Sequence, residues 1–211
     1  MLLAIESSVP KASLALYDRA TNSVAWQDEF TSQRAHNAVI FDPLREALDH
    51  CGRSLDLIVI GRGPGSYGGV RVGIAVANGL SIALGAPVIG LSSLEAMESG
   101  DAETYAVIGD ARRQSFFVAR VEEGKLIAEP ELVTEEGLVE HLTLLSRDGI
   151  PVLTADQALA DAHESVRLSE PQAAKLAARA SRLSPEEIEQ RLKEPLEPHY
   201  LRAPYITTPK G

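Results

Sequence analysis

Cysteine is nearly absent from this 211-residue chain: Cys51 stands alone, which excludes an internal disulfide and a cysteine zinc cluster. Aromatic residues make up only 5% of the sequence, too few for a platform that stacks single-stranded bases. Basic residues are in the minority, with 20 Lys plus Arg against 30 Asp plus Glu. The formal charge of −10 argues against a protein that grips phosphate backbones unaided, although a basic partner can still bring it to nucleic acid. No apolar run approaches the roughly twenty residues that span a bilayer, and Met1-Leu2-Leu3-Ala4-Ile5 meets Glu6 too soon for a signal-peptide core. These absences lead to the expectation of a cytoplasmic protein with no membrane partner. What is present is ordinary folded-domain material, 45% hydrophobic and 24% charged, enough for one large domain or two small ones.

Glycine and apolar residues concentrate in the first hundred positions, and charged helical sequence follows. The shift near Ser99-Gly100 divides the chain into an expected first lobe, 1–100, and a smaller second lobe, 101–211, with C-terminal helices and a tail. No fixed-period repeat or low-complexity tract occurs. In the first lobe, Leu2 to Ser7, Ala12 to Tyr17 and Ser23 to Phe30 read as three strands joined by short loops, hence an antiparallel meander. Ala38 to Cys51 reads as a helix that Pro43 either kinks or restarts behind an Asp42 cap. Leu55 to Ile60 is a strand, 61–69 a glycine-rich loop, Val70 to Leu84 a helix, and Pro87 to Leu91 a strand, with a short helix from Ser93. That β-β-β-α-β-α-β-α order implies an α/β fold with a mixed sheet and packed helices. The second lobe repeats the theme less clearly. It has a strand at Tyr105 to Gly109, a hairpin of Phe116 to Val121 and Lys125 to Ala128, and a helix from Thr134 to Arg147. A short strand at Val152-Leu153 precedes helices at Pro171 to Leu183 and Pro185 to Lys193, the latter on a Ser184 cap. From Pro195 the tail is proline-rich and expected to be extended.

The glycine-rich loop follows a buried strand and opens a helix, a context in which backbone N–H groups can hold an anion. It lacks the Gly-Lys-Ser/Thr ending of a phosphate loop and does not match the dinucleotide fingerprint. An anion cradle and a simple packing turn both remain open on the loop alone. In the helix that follows, Gly69, Gly73, Ala77 and Ser81 form a stripe of small residues, with Val70, Ile74 and Asn78 beside it and Arg71 as the only charge. A helix so apolar all round needs cover on two sides. One side can lie on the sheet. A helix of another molecule packing on the small stripe, with Phe41 and Leu44 of the preceding helix, is the favoured cover for the other; the alternative is cover within the monomer.

Glu6 ends the first strand, where a carboxylate can face a metal or phosphate, and Ser7 follows it. Asp110-Ala111-Arg112-Arg113 ends the corresponding strand of the second lobe, either as a phosphate site or as a surface ion network. With Gly63 and Gly65, these residues (Glu6, Ser7, Asp110, Arg112, Arg113) outline a candidate vestigial nucleotide cleft. The five histidines, His36, His50, His141, His163 and His199, show no three- or four-residue spacing of a helical metal pair. Ser66 lacks a Gly-x-Ser-x-Gly elbow, so serine hydrolase chemistry is not indicated.

Four blocks then stand in order along the chain: Ile5-Glu6-Ser7-Ser8; Gly61 through Gly73, containing Gly63-Pro64-Gly65-Ser66-Tyr67-Gly68-Gly69-Val70-Arg71; Asp110-Ala111-Arg112-Arg113; and Pro198-His199-Tyr200-Leu201-Arg202. Together they resemble the TsaB (YeaZ) family, accessory subunits in bacterial synthesis of threonylcarbamoyladenosine in tRNA. Two positions depart from the pattern: Glu6 where the family more often has Asp, and Gly68 where Thr is usual. The resemblance implies an actin-like, sugar-kinase-like fold of two lobes and an interface role for the glycine-block helix. The catalytic relative TsaD, of the same fold, carries Asn-His-Leu-Glu-Gly-His, whose histidines hold a metal. Ungapped alignment from the glycine block places Ser92-Ser93-Leu94-Glu95-Ala96-Met97 there, so Ser93 and Met97 stand at the ligand positions. A hydroxyl and a thioether do not replace two imidazoles.

The resemblance therefore implies a non-catalytic subunit without metal or other cofactor. It would bind a TsaD homologue, with the ATPase TsaE joining and tRNA reached only through the complex. The expected interface is Phe41, Leu44, Val70, Ile74, Ala77, Asn78 and Ser81, which in isolation would make a homodimer. Two rivals are an active small-molecule kinase of the same fold, using Glu6 and Asp110 around magnesium and ATP, and a peptidase.

Overall fold

The computed structural model describes residues 1–31 and 37–201. Strands β1 (Leu2–Glu6), β2 (Lys11–Asp18), β3 (Ser23–Thr31), β4 (Leu57–Gly61) and β5 (Val88–Leu91) form one sheet in the order β3-β2-β1-β4-β5. β1–β2 and β2–β3 pair antiparallel, while β1–β4 and β4–β5 pair parallel. The central strands β1 and β4 are apolar on both faces, the signature of strands covered from two sides. On one face Leu3, Ile5, Ile58 and Ile60 pack with helices α1 (Phe41–His50) and α2 (Tyr67–Leu84) through Leu44, Ala47, Val70, Ile74 and Ala77. On the other, Leu2, Ala4, Val59 and Ile89 meet Ala173, Leu176, Ala177 and Ala180.

The second sheet contains β6 (Tyr105–Asp110), β7 (Phe116–Glu122), β8 (Lys125–Leu126), β9 (Glu131–Val133), β10 (Val152–Thr154) and β11 (Val166–Leu168). Its order is β11-β10-β6-β7-β8, with β9 also paired to β7. β6–β7 is antiparallel and β6–β10–β11 parallel, so β6 stands where β1 stands in the first sheet. One face is covered by Leu138, Leu142 and Leu145 of α3 (Glu135–Arg147) and by Leu159 of α4 (Gln157–Ala162).

Helices α5 (Ala173–Ser181) and α6 (Pro185–Leu192) return to the first lobe: α5 lies on β1, β2 and β4, and α6 on β5. This corrects the expected division at residue 100, which assigned both helices to the second lobe. The cause is the alanine-rich face of α5, small enough to lie close on the first sheet. The crossing between lobes is fastened by Glu95, whose Oε1 accepts the Leu126 N–H at 3.3 Å and whose Oε2 lies 3.3 Å from Arg179 Nε on α5. Tyr105 of β6 donates its hydroxyl to the Leu94 carbonyl at 2.8 Å.

Local differences from the sequence reading have simple causes. Residues 37–40 form a 3-10 turn and α1 begins at Phe41, so Pro43 sits in the first helical turn, where its missing N–H is harmless. α2 begins three residues early, because Ser66 Oγ accepts the Gly69 N–H at 3.3 Å and caps it there. Its 18 residues are long and apolar enough to cross a membrane by length and composition, which the sequence reading did not anticipate. Here Val70, Gly73, Ile74 and Ala77 bury one side of it on the sheet.

Candidate functional site

A cleft of about 1060 Å³ separates the lobes. The first lobe lines it with Ser7, Ser8, Gly65, Ser66, Tyr67 and Gly69, at the end of β1 and the start of α2. The second lobe contributes Asp110, Ala111, Arg112, Phe117 and Thr154. Ser7, Gly65, Asp110 and Arg112 thus line one cleft, whereas Glu6, Gly63 and Arg113 are not among its lining residues.

Glu6 is fully buried, which corrects its assignment to the cleft. Its Oε1 accepts the Ser8 N–H at 2.7 Å, and its Oε2 has no hydrogen-bond partner among the described residues. A Cβ at position 61 would stand 1.9 Å from that Oε2, so Gly61 is what leaves room for the carboxyl group. Burial raises the Glu6 pKa, against the smaller opposing effect of the Ser8 hydrogen bond. Gly63 lies on the inner side of its loop, where its N–H donates to Ser93 Oγ at 3.0 Å and its carbonyl accepts the Ser93 N–H at 2.9 Å. Its φ of +88° is a conformation open mainly to glycine.

On the opposite wall, Asp110 Oδ1 accepts the Arg112 N–H at 2.6 Å, and Oδ2 lies 3.5 Å from Arg112 Nη1. Arg112, Arg113 and Gln114 all hold positive φ, 65°, 57° and 57°, which turns the loop sharply back toward β7. Asp110 and Arg112 therefore satisfy each other at the rim. Ser93, only 1% exposed, and Met97, only 3% exposed, are packed into the interior between the lobes. Ser7 donates to the Gly69 carbonyl at 3.0 Å, and His199 pairs with Glu129 at 2.7 Å. No group of three or more metal-ligating side chains occurs among the described residues.

The expected interface residues divide between core and surface. Leu44, Val70, Ile74 and Ala77 are buried in the first-lobe core, which corrects their assignment to a partner surface. The small stripe turns toward the sheet because close approach there needs it: a Cβ at Gly69 would stand 2.0 Å from the Ser7 carbonyl oxygen, and one at Gly73 2.4 Å from Ser7 Oγ. Phe41 and Asn78 are exposed and Ser81 is half-buried. The outward side of α2 instead presents Gly68, Arg71, Ala75, Asn78, Gly79 and Ile82, with Ile82 87% exposed. Ala75, Gly79 and Ile82 were missed. Once Val70, Ile74 and Ala77 are taken as the inward side, helical phase places them opposite.

The family model for TsaD, tRNA N6-adenosine threonylcarbamoyltransferase, matches residues 29–189. The tRNA threonylcarbamoyladenosine biosynthesis protein TsaB of Escherichia coli is 30% identical over 179 residues, covering 76% of this chain and 74% of that protein. The chain belongs to this family, on its TsaB branch. The Haemophilus influenzae protein of the same name is 35% identical over 128 residues, covering 57% of this chain but 53% of the relative. The chain thus matches about half the length of one relative and about three-quarters of the other. YeaZ from Pseudomonas aeruginosa superposes with a TM-score of 0.70 at 24% identity, covering 95% of this chain and 99% of that one. That likeness shows the fold, a two-lobed α/β architecture with the mixed sheets and packed helices expected from the sequence.

Proposed function

We propose that this chain is a non-catalytic partner subunit in tRNA threonylcarbamoyladenosine biosynthesis, binding and activating a TsaD-type threonylcarbamoyltransferase. The observation that carries the reading is the outward side of α2. A row of small and apolar residues ending in Ile82 faces away from its own core, and charged residues are limited to Arg71 at its start. Such a row admits a second helix at short distance and loses little side-chain entropy. Phe41 of α1, 58% exposed, is a further exposed apolar side chain of the first lobe.

The cleft supports the non-catalytic half of the reading. A small-molecule kinase would need Glu6 and Asp110 as metal-facing carboxylates; one is buried with a raised pKa and the other is engaged by Arg112. TsaE would join the assembly, and tRNA would be held by the partners' basic surfaces, in keeping with the charge of −10. In isolation the same side of α2 would pair with its own image in a homodimer. The test is reconstitution with the TsaD homologue of the same cell, with tRNA modification measured with and without this chain and with Ile82→Glu. Modification that needs the chain and fails with Ile82→Glu supports the reading. Full activity of the transferase alone, or of the chain alone, overturns it.

A further inference from the structure

After α6 the backbone runs back along the first lobe and then crosses the mouth of the cleft. Its start is held by Arg62, just beyond β4. The guanidinium donates to the Pro195 carbonyl at 3.4 Å and lies 3.6 Å from the Glu194 carboxylate, while the Arg62 carbonyl accepts the His199 N–H at 2.8 Å. Tyr200 stacks on Tyr67 at the start of α2, with ring centroids 5.7 Å apart. Arg71 covers the Tyr67 ring at 5.0 Å and donates to its hydroxyl. All these anchors belong to the first lobe. The next two belong to the second: His199 Nε2 lies 2.7 Å from Glu129, between β8 and β9, and Leu201 packs against the cluster that holds Met97, Ala111 and Phe117. His199, Tyr200 and Leu201 all line the cleft.

We propose that residues Glu194–Leu201 form a strap that ties the two lobes across the cleft mouth and governs access to its interior. The two sets of anchors are unequal, and this gives the strap a direction of release. On the first lobe it has a backbone hydrogen bond, a paired guanidinium and an aromatic stack. On the second, among the described residues, it has one histidine–carboxylate contact whose acid is 85% exposed, and one half-buried leucine. Exposed ion pairs hold weakly, and segments with few buried contacts open without global unfolding. The second-lobe end therefore lifts first, with the strap pivoting at Arg62 and both lobes still folded. This holds whether or not the chain is a partner subunit.

Met97 reports on the opening. It lines the cleft, is 3% exposed, and belongs to the cluster that Leu201 covers; Met1 is the chain's other methionine and serves as an internal reference. The experiment treats the full chain with dilute hydrogen peroxide and follows sulfoxide at each methionine by peptide mass spectrometry, for the parent, Glu129→Ala and Leu201→Ser. Circular dichroism and exchange of the β1 and β6 amides check the fold of each lobe. Glu129→Ala removes an exposed side chain that does not touch Met97, so an inert cover would be indifferent to it. The expected result is faster Met97 oxidation relative to Met1 in both variants, by about two- to fivefold in Glu129→Ala and by more in Leu201→Ser, with the core amides unchanged. An unchanged ratio in Glu129→Ala overturns the strap, even if Leu201→Ser exposes Met97, because Leu201 would then be only a plug. Loosening of both sheets in Glu129→Ala also overturns it, since the segment would then belong to the core.

Discussion

Two isoleucines on one helix separate the core from the proposed docking surface. Ile74 is 8% exposed and packs with Ile60 and the rest of the first-lobe core, whereas Ile82, two turns on, stands almost wholly in solvent. Replacing Ile74 by glutamate forfeits about 2 kcal/mol of apolar burial and leaves a carboxylate without a partner in a packed interior, a further cost of several kcal/mol. A total near 5 kcal/mol or more consumes much of the ~5–15 kcal/mol that holds a domain together. It should lower the midpoint of thermal unfolding by about 10–20 °C in a chain of this size. Ile82→Glu should change stability by no more than about 0.5 kcal/mol, because nothing around it is disturbed. Urea unfolding followed by circular dichroism measures the first effect; light scattering and pull-down with the TsaD homologue measure the second. The expected pattern is one variant that is strongly destabilised and one that keeps its stability but loses association. If Ile82→Glu associates like the parent, the docking surface lies elsewhere. If Ile74→Glu is as stable as the parent, α2 is rotated relative to the arrangement described above.

Glu6 should make stability fall with rising pH. Burial raises its folded-state pKa, so its stabilising contribution is complete below the unfolded value near 4.5 and is lost as pH rises through the raised folded value. Glu6→Gln should flatten that part of the profile in unfolding titrations from pH 4.5 upward; Glu95, also raised by burial, leaves a residual slope of the same sign. Gly61→Ala should cost about 2–4 kcal/mol by thermal melting, since the new methyl would stand 1.9 Å from Glu6 Oε2 in a site with no room to yield. Arg179→Met should cost about 3–5 kcal/mol by leaving the Glu95 carboxylate buried without its cation, and Glu95→Gln in the same chain should recover part of that loss, a coupling read by a double-mutant cycle.

The elements that could be read from sequence are those whose signals are local. Ser184 caps α6 where expected and completes a capping box with Glu187, and Thr134, where the expected helix starts, caps α3. The meander and the crossover strands were legible from unbroken apolar runs in β1 and β4. Strands β9 and β11 and helix α4 escaped because three to six residues carry too little periodicity. The return of α5 to the first lobe is a tertiary fact: alanine-rich sequence states that a helix packs closely, not on which sheet. The inward side of α2 was ambiguous for a related reason. With Arg71 as the helix's only charge, the hydrophobic pattern points almost equally in every direction, and only the carbonyl of Ser7 and the side chain of Ile60 decide which glycines must face the sheet.

The cleft residues show why matching positions need not have matching chemistry. β1 and β6 are equivalent central strands, each paired antiparallel on one side and parallel on the other, and each ends in an acid, Glu6 and Asp110. In the rival kinase reading the two act together around magnesium and ATP. In the fold, the longer Glu6 side chain turns inward over Gly61 and is held by the Ser8 N–H, with its pKa raised by burial. Asp110, one methylene shorter and nearer solvent, is claimed by the backbone and guanidinium of Arg112. An aspartate at position 6 would be too short to fill the space over Gly61 from the same backbone. The extra methylene of Glu6 and the missing Cβ of Gly61 are thus two halves of one packing solution. It joins the end of β1 to the end of β4, just before the loop that leads into α2.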